Sequence, residues 1–214
     1  MLELEAKLLV PDEAAFEAIG GVERLGPFRA ELRGTRLQQD TYVDTRGLHL
    51  YRAGYACRLR HVGHRAFVTV KGRGGAVGML HEREEMEREI DNPSIGCVLR
   101  LDAPPGPLVR RLTRGERVER LFTVVTRRRL WDLRDGRRAC FEMALDRACF
   151  FVASGEMEVL ELELESLDGD RRLLEESAVE LRRRFGLTAS GLSKFERGLR
   201  WTGWVGGCGT RRVE

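Results

Sequence analysis

Glutamate recurs at every second position in two short segments near opposite ends of the chain. The first segment carries Glu3, Glu5 and then Lys7, and the second carries Glu161, Glu163 and Glu165. Side chains of a β-strand alternate between its two faces, so each segment would present a row of charge on one face. Neighbouring carboxylates repel one another unless water solvates them or bound cations neutralise them. The two rows therefore indicate either a solvated surface or a metal site.

Lysine is rare in this chain. The 37 lysines and arginines include only Lys7, Lys71 and Lys194, so the other 34 are arginine. A lysine ammonium is a compact, strongly hydrated point charge, whereas the guanidinium of arginine is a planar fork. The three lysines are therefore candidates for sites that require a point cation, with chance survival as the alternative.

The composition is that of a globular protein with one sizeable core. The chain has 214 residues, 42% of them hydrophobic, and a net charge of +3 that by itself indicates no particular partner. No segment has the roughly 18 apolar residues of a membrane-spanning helix, and the charged N-terminus is unlike a signal peptide. We expect a cytoplasmic protein with no membrane partner, with one domain over residues 1–200 and a tail over 201–214. The five cysteines show no zinc-type spacing and are expected to be reduced and mostly buried.

Hydrophobic periodicity and turn residues predict hairpins interrupted by helices. Strands are predicted over residues 2–10, 38–45, 56–62, 65–72, 81–90, 121–133, 138–151 and 156–167. Helices are predicted over 13–19 and 171–185, with short helices between 94 and 120. Residues 81–90 have a helix-favouring composition, and only their context favours a strand. This order of elements indicates an α+β chain without βαβ repeats.

Alternate positions of the predicted strands collect the charged residues on one face. That face carries Glu3, Glu5, Lys7, Arg58, Arg60, Lys71, Arg83, Glu85, Glu87, Arg127, Arg129, Glu142, Asp146, Glu161, Glu163 and Glu165. Acids predominate on the terminal strands and bases on the middle ones, which an open, solvated sheet does not explain. We predict a closed antiparallel β-barrel with a charged lumen and helices outside. Such a lumen suits a polyphosphate bound together with Mg²⁺ or Mn²⁺.

Ordered motifs along the chain resemble those of the CYTH superfamily, the triphosphate tunnel metalloenzymes, over about residues 1–199. They are Glu3-Leu4-Glu5-Ala6-Lys7, Gln39 to Thr45, Cys57-Arg58-Leu59-Arg60, Thr69-Val70-Lys71-Gly72, Arg83 with Glu85, Arg127-Arg128-Arg129, Glu142 to Asp146, Glu161 to Glu165, and Leu192-Ser193-Lys194-Phe195. All three lysines lie within these motifs. The resemblance is closest to bacterial inorganic triphosphatases, and it implies an eight-stranded antiparallel tunnel.

The resemblance also implies an activity and a set of site residues. The activity would be metal-dependent hydrolysis of a linear triphosphate, foremost inorganic tripolyphosphate to pyrophosphate and phosphate. The implied metal ligands are Glu3, Glu5, Glu161, Glu163 and Glu165. The implied phosphate-binding cations are Lys7, Arg58, Arg60, Lys71, Arg83, Arg127, Arg129 and Lys194. The implied catalytic residues are Glu3, Glu5, Lys7, Glu85 and Glu163, where Glu85 either orients the arginines or contacts a metal-bound water.

Other functions remain open at this stage. The same fold would serve a class IV adenylate cyclase or a thiamine triphosphatase. A non-catalytic polyphosphate or nucleotide-binding module is disfavoured because the acidic metal set is complete. Nucleic acid is disfavoured as a partner because no array of stacking aromatic residues accompanies the arginine runs. The sequence predicts a small-molecule triphosphate as partner and indicates no oligomeric state.

Overall fold

The chain forms eleven strands and six helices over the residues that the computed structural model describes, which are 2–72, 74–91, 93–153 and 155–205. The strands are β1 (Leu2–Leu9), β2 (Arg24–Leu25), β3 (Phe28–Thr45), β4 (Tyr55–Val62), β5 (Arg65–Gly72), β6 (Gly75–Val77), β7 (Leu80–Ile90), β8 (Val118–Asp135), β9 (Arg138–Val152), β10 (Gly155–Ser166) and β11 (Thr188–Ala189). The helices are α1 (Glu13–Gly20), α2 (His49–Arg52), α3 (Cys97–Arg100), α4 (Gly106–Thr113), α5 (Arg171–Phe185) and α6 (Lys194–Trp201). The predicted α+β class is confirmed.

Eight of the strands are hydrogen-bonded into a ring. The antiparallel pairings run β1, β10, β9, β8, β3, β4, β5 and β7, and β7 then pairs with β1. The short strands β2, β6 and β11 pair with β3, β7 and β1. Because the pairings return to the first strand, the alternation of each strand assigns its side chains to the inside or the outside of the ring.

The outside of the ring packs against α1 and α5. Leu8 of β1 and Leu164 of β10 are fully buried there with Ile19 of α1 and with Leu174 and Leu181 of α5. A second outer cluster joins β4 and β5 to α3 and α4. Apolar alternation on one face of each strand thus stabilises the ring from outside, since burying one such side chain contributes about 1.5–3 kcal/mol.

Helix α6 lies at one end of the ring, against side chains that point inward. The ring of Phe195 stacks on Tyr42 with centroids 5.4 Å apart, and Leu199 is buried in the same cluster. Gly198 permits this approach, because a Cβ there would lie 2.2 Å from a ring carbon of Phe122. The prediction that the helices lie outside is therefore wrong for α6, since inward-facing aromatic side chains at this end require an apolar partner.

Several local predictions can be compared with the structure. Residues 81–90 lie within a strand, as their context indicated. β3 begins at Phe28 and not at the predicted residue 38, because its first half pairs with β8 although its composition shows no clean alternation. Cys57, Cys97 and Cys140 are buried free thiols and Cys149 is half-buried, as expected, whereas Cys208 and most of the predicted tail lie outside the described residues. Among the described helices, none is long and apolar enough to cross a membrane.

Candidate active site

The ring encloses a cavity of about 1080 Å³ whose lining is dominated by charged side chains. The charged lining consists of Glu3, Glu5, Lys7, Arg36, Arg58, Arg60, Lys71, Arg83, Glu85, Glu87, Arg128, Glu142, Glu163, Glu165, Lys194 and Glu196. Most of these side chains occupy alternate positions of the ring strands, opposite the apolar outer face. The structure therefore brings most of the predicted site residues into one cavity.

Glu3 is held between two cations from neighbouring strands. The ammonium of Lys71 donates to both Glu3 carboxylate oxygens at 2.7 and 2.8 Å, and Arg83 Nε donates to Glu3 Oε2 at 3.1 Å. Arg83 also donates to Glu5. Lys71 lies 3.0 Å from Glu85, and Arg58 lies 3.9 Å from the same carboxylate. Glu85 is thus placed to orient two cations, which favours the first of its two predicted roles.

Glu163 is the carboxylate on which the other two lysines converge. Lys7 Nζ and Lys194 Nζ lie 2.7 and 2.9 Å from Glu163 Oε1, and Arg128 donates to Oε2. Burial opposes ionisation of Glu163, but these three cations outweigh it and hold the pKa of Glu163 well below its ordinary value. The pKa of Lys194 is raised well above its ordinary value, because its carboxylate neighbours, with Asp146 foremost, outweigh the opposing effect of burial. Glu163 is therefore ionised and locks three cations in place.

Two buried aspartates orient the arginines of the cavity. Asp146 forms a bidentate pair with Arg128, at 2.8 and 2.6 Å, and Asp40 forms another with Arg60, at 2.8 and 3.0 Å. Arg58 Nη1 lies 3.5 Å from Asp40. Burial alone would raise the pKa of Asp40, but Arg58 and Arg60 reverse this and lower it. Bidentate pairing fixes the plane of each guanidinium and so the direction of its remaining donors.

The predicted positions of Arg127 and Arg129 in the lumen are wrong. Arg127 is exposed, and Arg129 bonds to Glu17 of α1 on the outside of the ring. Of the three consecutive arginines, Arg128 is the one that is buried and lines the cavity. Three consecutive arginines give no alternation, and the apolar Leu130 shares the inward face with Arg128, so the pattern indicated the wrong parity.

Comparison with known proteins identifies the family of this chain. The CYTH domain pattern matches residues 1–199 of the chain. The chain belongs to the CYTH family. The match spans nearly all of the described residues and includes every side chain of the cavity.

Solved CYTH-like structures have the same fold. A putative adenylyl cyclase from Hippeastrum, described as having a dominant triphosphatase activity, is 24% identical, with a TM-score of 0.67 over 90% of this chain and 93% of its own. A putative adenylate cyclase from Bacillus halodurans is 19% identical, with a TM-score of 0.64 over 91% and 96%. The PH1819 protein from Pyrococcus horikoshii is 19% identical, with a TM-score of 0.56 over 91% and 98%. At these identities the likeness shows the fold alone.

A row of carboxylates crosses three neighbouring strands of the CYTH ring. Glu5 lies opposite Glu165, and Glu165 lies opposite Glu142. Burial, together with the carboxylates of Glu3 and Glu5, raises the pKa of Glu165 to about 7. Among the described residues, Glu165 forms no ion pair with a lysine or arginine. Glu5 and Glu142 pair with cations, so Glu165 is the member of the row whose charge is left for a further cation, such as a bound metal ion, to neutralise.

The donor chemistry of this row fits a hard divalent cation. Mg²⁺ and Mn²⁺ prefer carboxylate oxygens, which Glu3, Glu5 and Glu165 supply. Within the described part of the chain, no three acidic, histidine or cysteine side chains are grouped closely enough to hold a metal as they stand. The reason is that Glu3 and Glu5 are turned toward Lys71 and Arg83. Metal binding therefore requires these cations to find other anionic partners.

Two predicted metal ligands are engaged by cations instead: Glu163 holds Lys7, Arg128 and Lys194 inside the cavity, and Glu161 lies outside it. Its carboxylate lies 2.8 Å from Lys194 and 3.1 Å from Arg197 of α6, and it does not line the cavity. It is placed to hold α6 and Lys194, so the structure gives no support to its predicted role as a metal ligand.

Sequence analysis missed some residues of the site. Arg36 lines the cavity but belongs to no recognised motif, and Arg128 and Asp40 occur in motifs without an assigned role. Counting back from Asp40 by alternate positions would have found Arg36 on the same face of β3. The sequence indicated the partner of Arg128 less clearly, because the pairing of Arg128 with Asp146 depends on the register of β8 and β9.

Proposed function

We propose that this CYTH domain is a divalent-metal-dependent hydrolase of linear triphosphates, with inorganic tripolyphosphate as its preferred substrate. The observation that carries the proposal is the meeting, in one cavity, of an incompletely neutralised carboxylate row with buried lysines and arginines. A ligand that satisfies both must present strong negative charge to the cations and a divalent metal to the carboxylates. A metal-complexed polyphosphate meets this requirement, and a singly charged metabolite does not.

Ion-pair exchange explains how the substrate would enter. Phosphate oxygens would accept hydrogen bonds from Lys71 and Arg83, which would release Glu3 and would leave Glu5 paired with Lys7 alone. Glu3, Glu5 and Glu165 would then hold Mg²⁺ or Mn²⁺. When bound, the metal supplies neutralising charge to phosphate oxygens and activation of a nucleophile. The cations would then be paired with phosphate and the carboxylates with the metal. A buried ion without a partner would cost several kcal/mol.

The remaining cations would orient the phosphates and stabilise charge in the transition state. Lys7, Arg128 and Lys194 are held at fixed positions by Glu163, and Arg58 and Arg60 are held by Asp40. Preorganised donors stabilise the developing charge of phosphoryl transfer without reorganising at the moment of reaction. Glu85 would act by orienting Lys71 and Arg58.

One assay tests the proposal. Phosphate, pyrophosphate and cyclic AMP would be measured from tripolyphosphate, ATP and thiamine triphosphate with Mg²⁺ or Mn²⁺. We expect phosphate release from tripolyphosphate to exceed the other reactions, and chelation of the metal to abolish it. Absence of metal-dependent phosphate release from tripolyphosphate would refute the proposal.

The variant Glu165→Gln tests the carboxylate row directly. Glu165 pairs with no cation in the described residues, so the substitution should leave the thermal unfolding midpoint unchanged or raised. It should lower kcat/KM by about 100-fold, the scale expected when one group that stabilises the transition state is removed. It should also raise the metal concentration that gives half-maximal rate. Glu175→Gln, at an exposed position of α5, is the matched control and should behave as the wild type.

A class IV adenylate cyclase is the second candidate. Two of the structurally similar proteins are described as putative adenylyl or adenylate cyclases, and a cavity of about 1080 Å³ has room for a nucleotide. Formation of cyclic AMP and pyrophosphate from ATP, faster than phosphate release from tripolyphosphate, would favour this alternative. A thiamine triphosphatase would be identified in the same assay by its substrate preference.

A further inference from the structure

Arg36 is a cavity-lining arginine that forms no ion pair with any carboxylate of the described residues. It lies on the inward face of β3, is half-buried, and its Nε is buried with no hydrogen-bond partner. Among the described residues it forms no ion pair, whereas Arg128 and Arg60 nearby each form a bidentate pair with an aspartate. Within the described part of the chain this guanidinium is therefore left without a paired carboxylate, and only the more distant charges of Glu142 and Asp146 favour it.

The surroundings of Arg36 are unfavourable to its charge. Burial lowers the pKa of Arg36, and the positive charges of Arg128 and Arg60 lower it further. The nearest carboxylates are committed elsewhere, since Glu142 accepts from Arg33 at 2.6 Å and Asp146 binds Arg128 and Lys194. A half-buried cation between two others is tolerated best where an anion from outside is bound.

Arg36 interacts with the Glu142 end of the carboxylate row and is distinct from the pairs that hold Glu3 and Glu5. The strongest electrostatic neighbours of Arg36 are Arg128 and Arg60, whereas Glu3 and Glu5 face Lys71 and Arg83. An elongated anion could therefore contact the carboxylate row through its metal and extend a further phosphate toward Arg36.

We propose that Arg36, between Arg60 and Arg128, binds the phosphate end that is esterified in a nucleoside triphosphate, and so selects inorganic triphosphate over nucleoside triphosphates. This inference rests on the proposed function. Ligand cavities commonly span about 300–1,000 Å³, so a cavity of about 1080 Å³ cannot exclude a nucleoside by size. Selection must then come from charge.

The ends of the two substrates differ in charge. Inorganic tripolyphosphate has a free phosphate at both ends, and each can carry a second negative charge. In a nucleoside triphosphate one end is esterified, so it carries less charge and a bulky neutral sugar. A fork of guanidinium donors binds a free phosphate end bidentately and gains less from an esterified one.

The test compares Arg36→Gln with Arg127→Gln, an exposed arginine on the outside of the neighbouring strand β8. The ratio of kcat/KM for tripolyphosphate to kcat/KM for ATP would be measured with the same metal for each variant. A hydrogen bond to a charged group is worth about 1.5–3 kcal/mol, so Arg36→Gln should lower kcat/KM for tripolyphosphate by about 10-fold to 100-fold. The value for ATP should fall by less than about 3-fold on the same scale, and Arg127→Gln should change neither. Arg36→Lys should recover part of the loss, because it restores the charge without the fork.

Thermal unfolding separates this role from a structural one. Without ligand, Arg36→Gln should unfold at the same or a higher temperature than the wild type, because it removes repulsion from Arg60 and Arg128. The rise in unfolding temperature that tripolyphosphate gives should become smaller. An equal fall in kcat/KM for both substrates, no fall for tripolyphosphate, or a lower unfolding temperature without ligand would overturn the role of Arg36 and leave the proposed function standing. A wild-type protein that does not hydrolyse tripolyphosphate would overturn both.

Discussion

Lys71 illustrates how single residues are matched to their positions in the cavity. Its ammonium lies 2.7 Å from Glu3 and 3.0 Å from Glu85, and its side chain is only 15% exposed. The other two lysines are also buried, and each contacts at least two carboxylates. In a chain whose other basic residues are arginine, lysine is retained where a point charge must fit between converging carboxylates. The positions of the three lysines in the sequence therefore indicated residues that line the cavity.

The substitution Lys71→Arg should be harmful although it conserves charge. A guanidinium is larger and planar, so it cannot occupy the space between Glu3 and Glu85 without displacing one of them. We expect kcat/KM for tripolyphosphate to fall by about 10-fold or more, the effect of losing one well-placed charged hydrogen bond. Steady-state kinetics would measure this.

The control for this swap is Arg65→Lys, at the solvent-exposed pair with Glu89. Exposed pairs contribute at most about 1 kcal/mol, so this variant should keep both its activity and its stability. Near-normal kinetics of Lys71→Arg would show that the positions of the lysines are incidental.

Helix α6 is the element that completes the cavity. It begins at Lys194, directly after the capping box in which Ser193 Oγ accepts from Glu196 N and Glu196 accepts from Ser193 N. Arg197 binds Glu161, and Phe195 packs on Tyr42. The cap and the aromatic contacts fix where the helix begins, and the start of the helix fixes where the Lys194 ammonium lies.

Loss of the α6 cap should affect both stability and activity. Replacing an N-cap serine by alanine costs about 1 kcal/mol, so Ser193→Ala should lower the free energy of unfolding by about that amount. Because the first turn carries Lys194, we also expect kcat/KM to fall by roughly the 10-fold that corresponds to about 1.4 kcal/mol.

The matched control is Asp12→Ala, which removes the N-cap of α1, where Asp12 accepts from Ala15 N at 2.8 Å. It should lower stability by about the same amount and leave kcat/KM unchanged, because α1 packs outside the ring. Denaturant unfolding and kinetics on both variants would measure the difference. Equal activity of the two variants would contradict a role for α6 in placing Lys194.

The ring as a whole encloses a cluster of charged side chains in its cavity and packs apolar side chains of its outer face against helices. This arrangement makes folding stability depend on the ionisation of buried carboxylates. Asp40 and Glu163 have a pKa below the ordinary value, and that of Glu5 is lowered to about 2, because nearby cations outweigh burial. In the unfolded chain these groups titrate near their usual values of about 3.9 and 4.3. A carboxylate with a depressed folded pKa stabilises the fold above the unfolded pKa, and this stabilisation is lost as the pH falls through the folded pKa.

We therefore expect the free energy of unfolding to decrease steadily from about pH 5 toward pH 2. Asp40→Asn should flatten this dependence and lower stability at pH 7 by about 3 kcal/mol, because Arg58 and Arg60 lose a buried ionic partner. Denaturant unfolding at several pH values would measure the slope. Asp135→Asn, at an exposed position, should parallel the wild type, and a slope of Asp40→Asn equal to that of the wild type would refute the argument.

Local patterns in the sequence were sufficient to predict the fold class and most of the charged residues that line the cavity. Alternation of Glu3, Glu5 and Lys7 with apolar residues identified the inner face of β1, because strand periodicity depends only on local geometry. The same reasoning found Arg58, Lys71, Arg83 and the row of β10. Ring closure was inferred from the distribution of charge and from the family resemblance.

The tertiary structure decided what local periodicity does not contain. Register shows that Arg128, and not Arg127 or Arg129, faces the cavity, whereas a run of three arginines in the sequence places charge on both faces of the strand. Packing at one end of the ring placed α6 against inward-facing aromatic side chains, and thereby assigned Glu161 to Lys194 and Arg197. Which charge is neutralised depends on distances across strands far apart in sequence. Only the folded ring shows that the cavity-lining Glu165 and Arg36 form no ion pair within the described part of the chain, which is why we propose them for a metal and a phosphate.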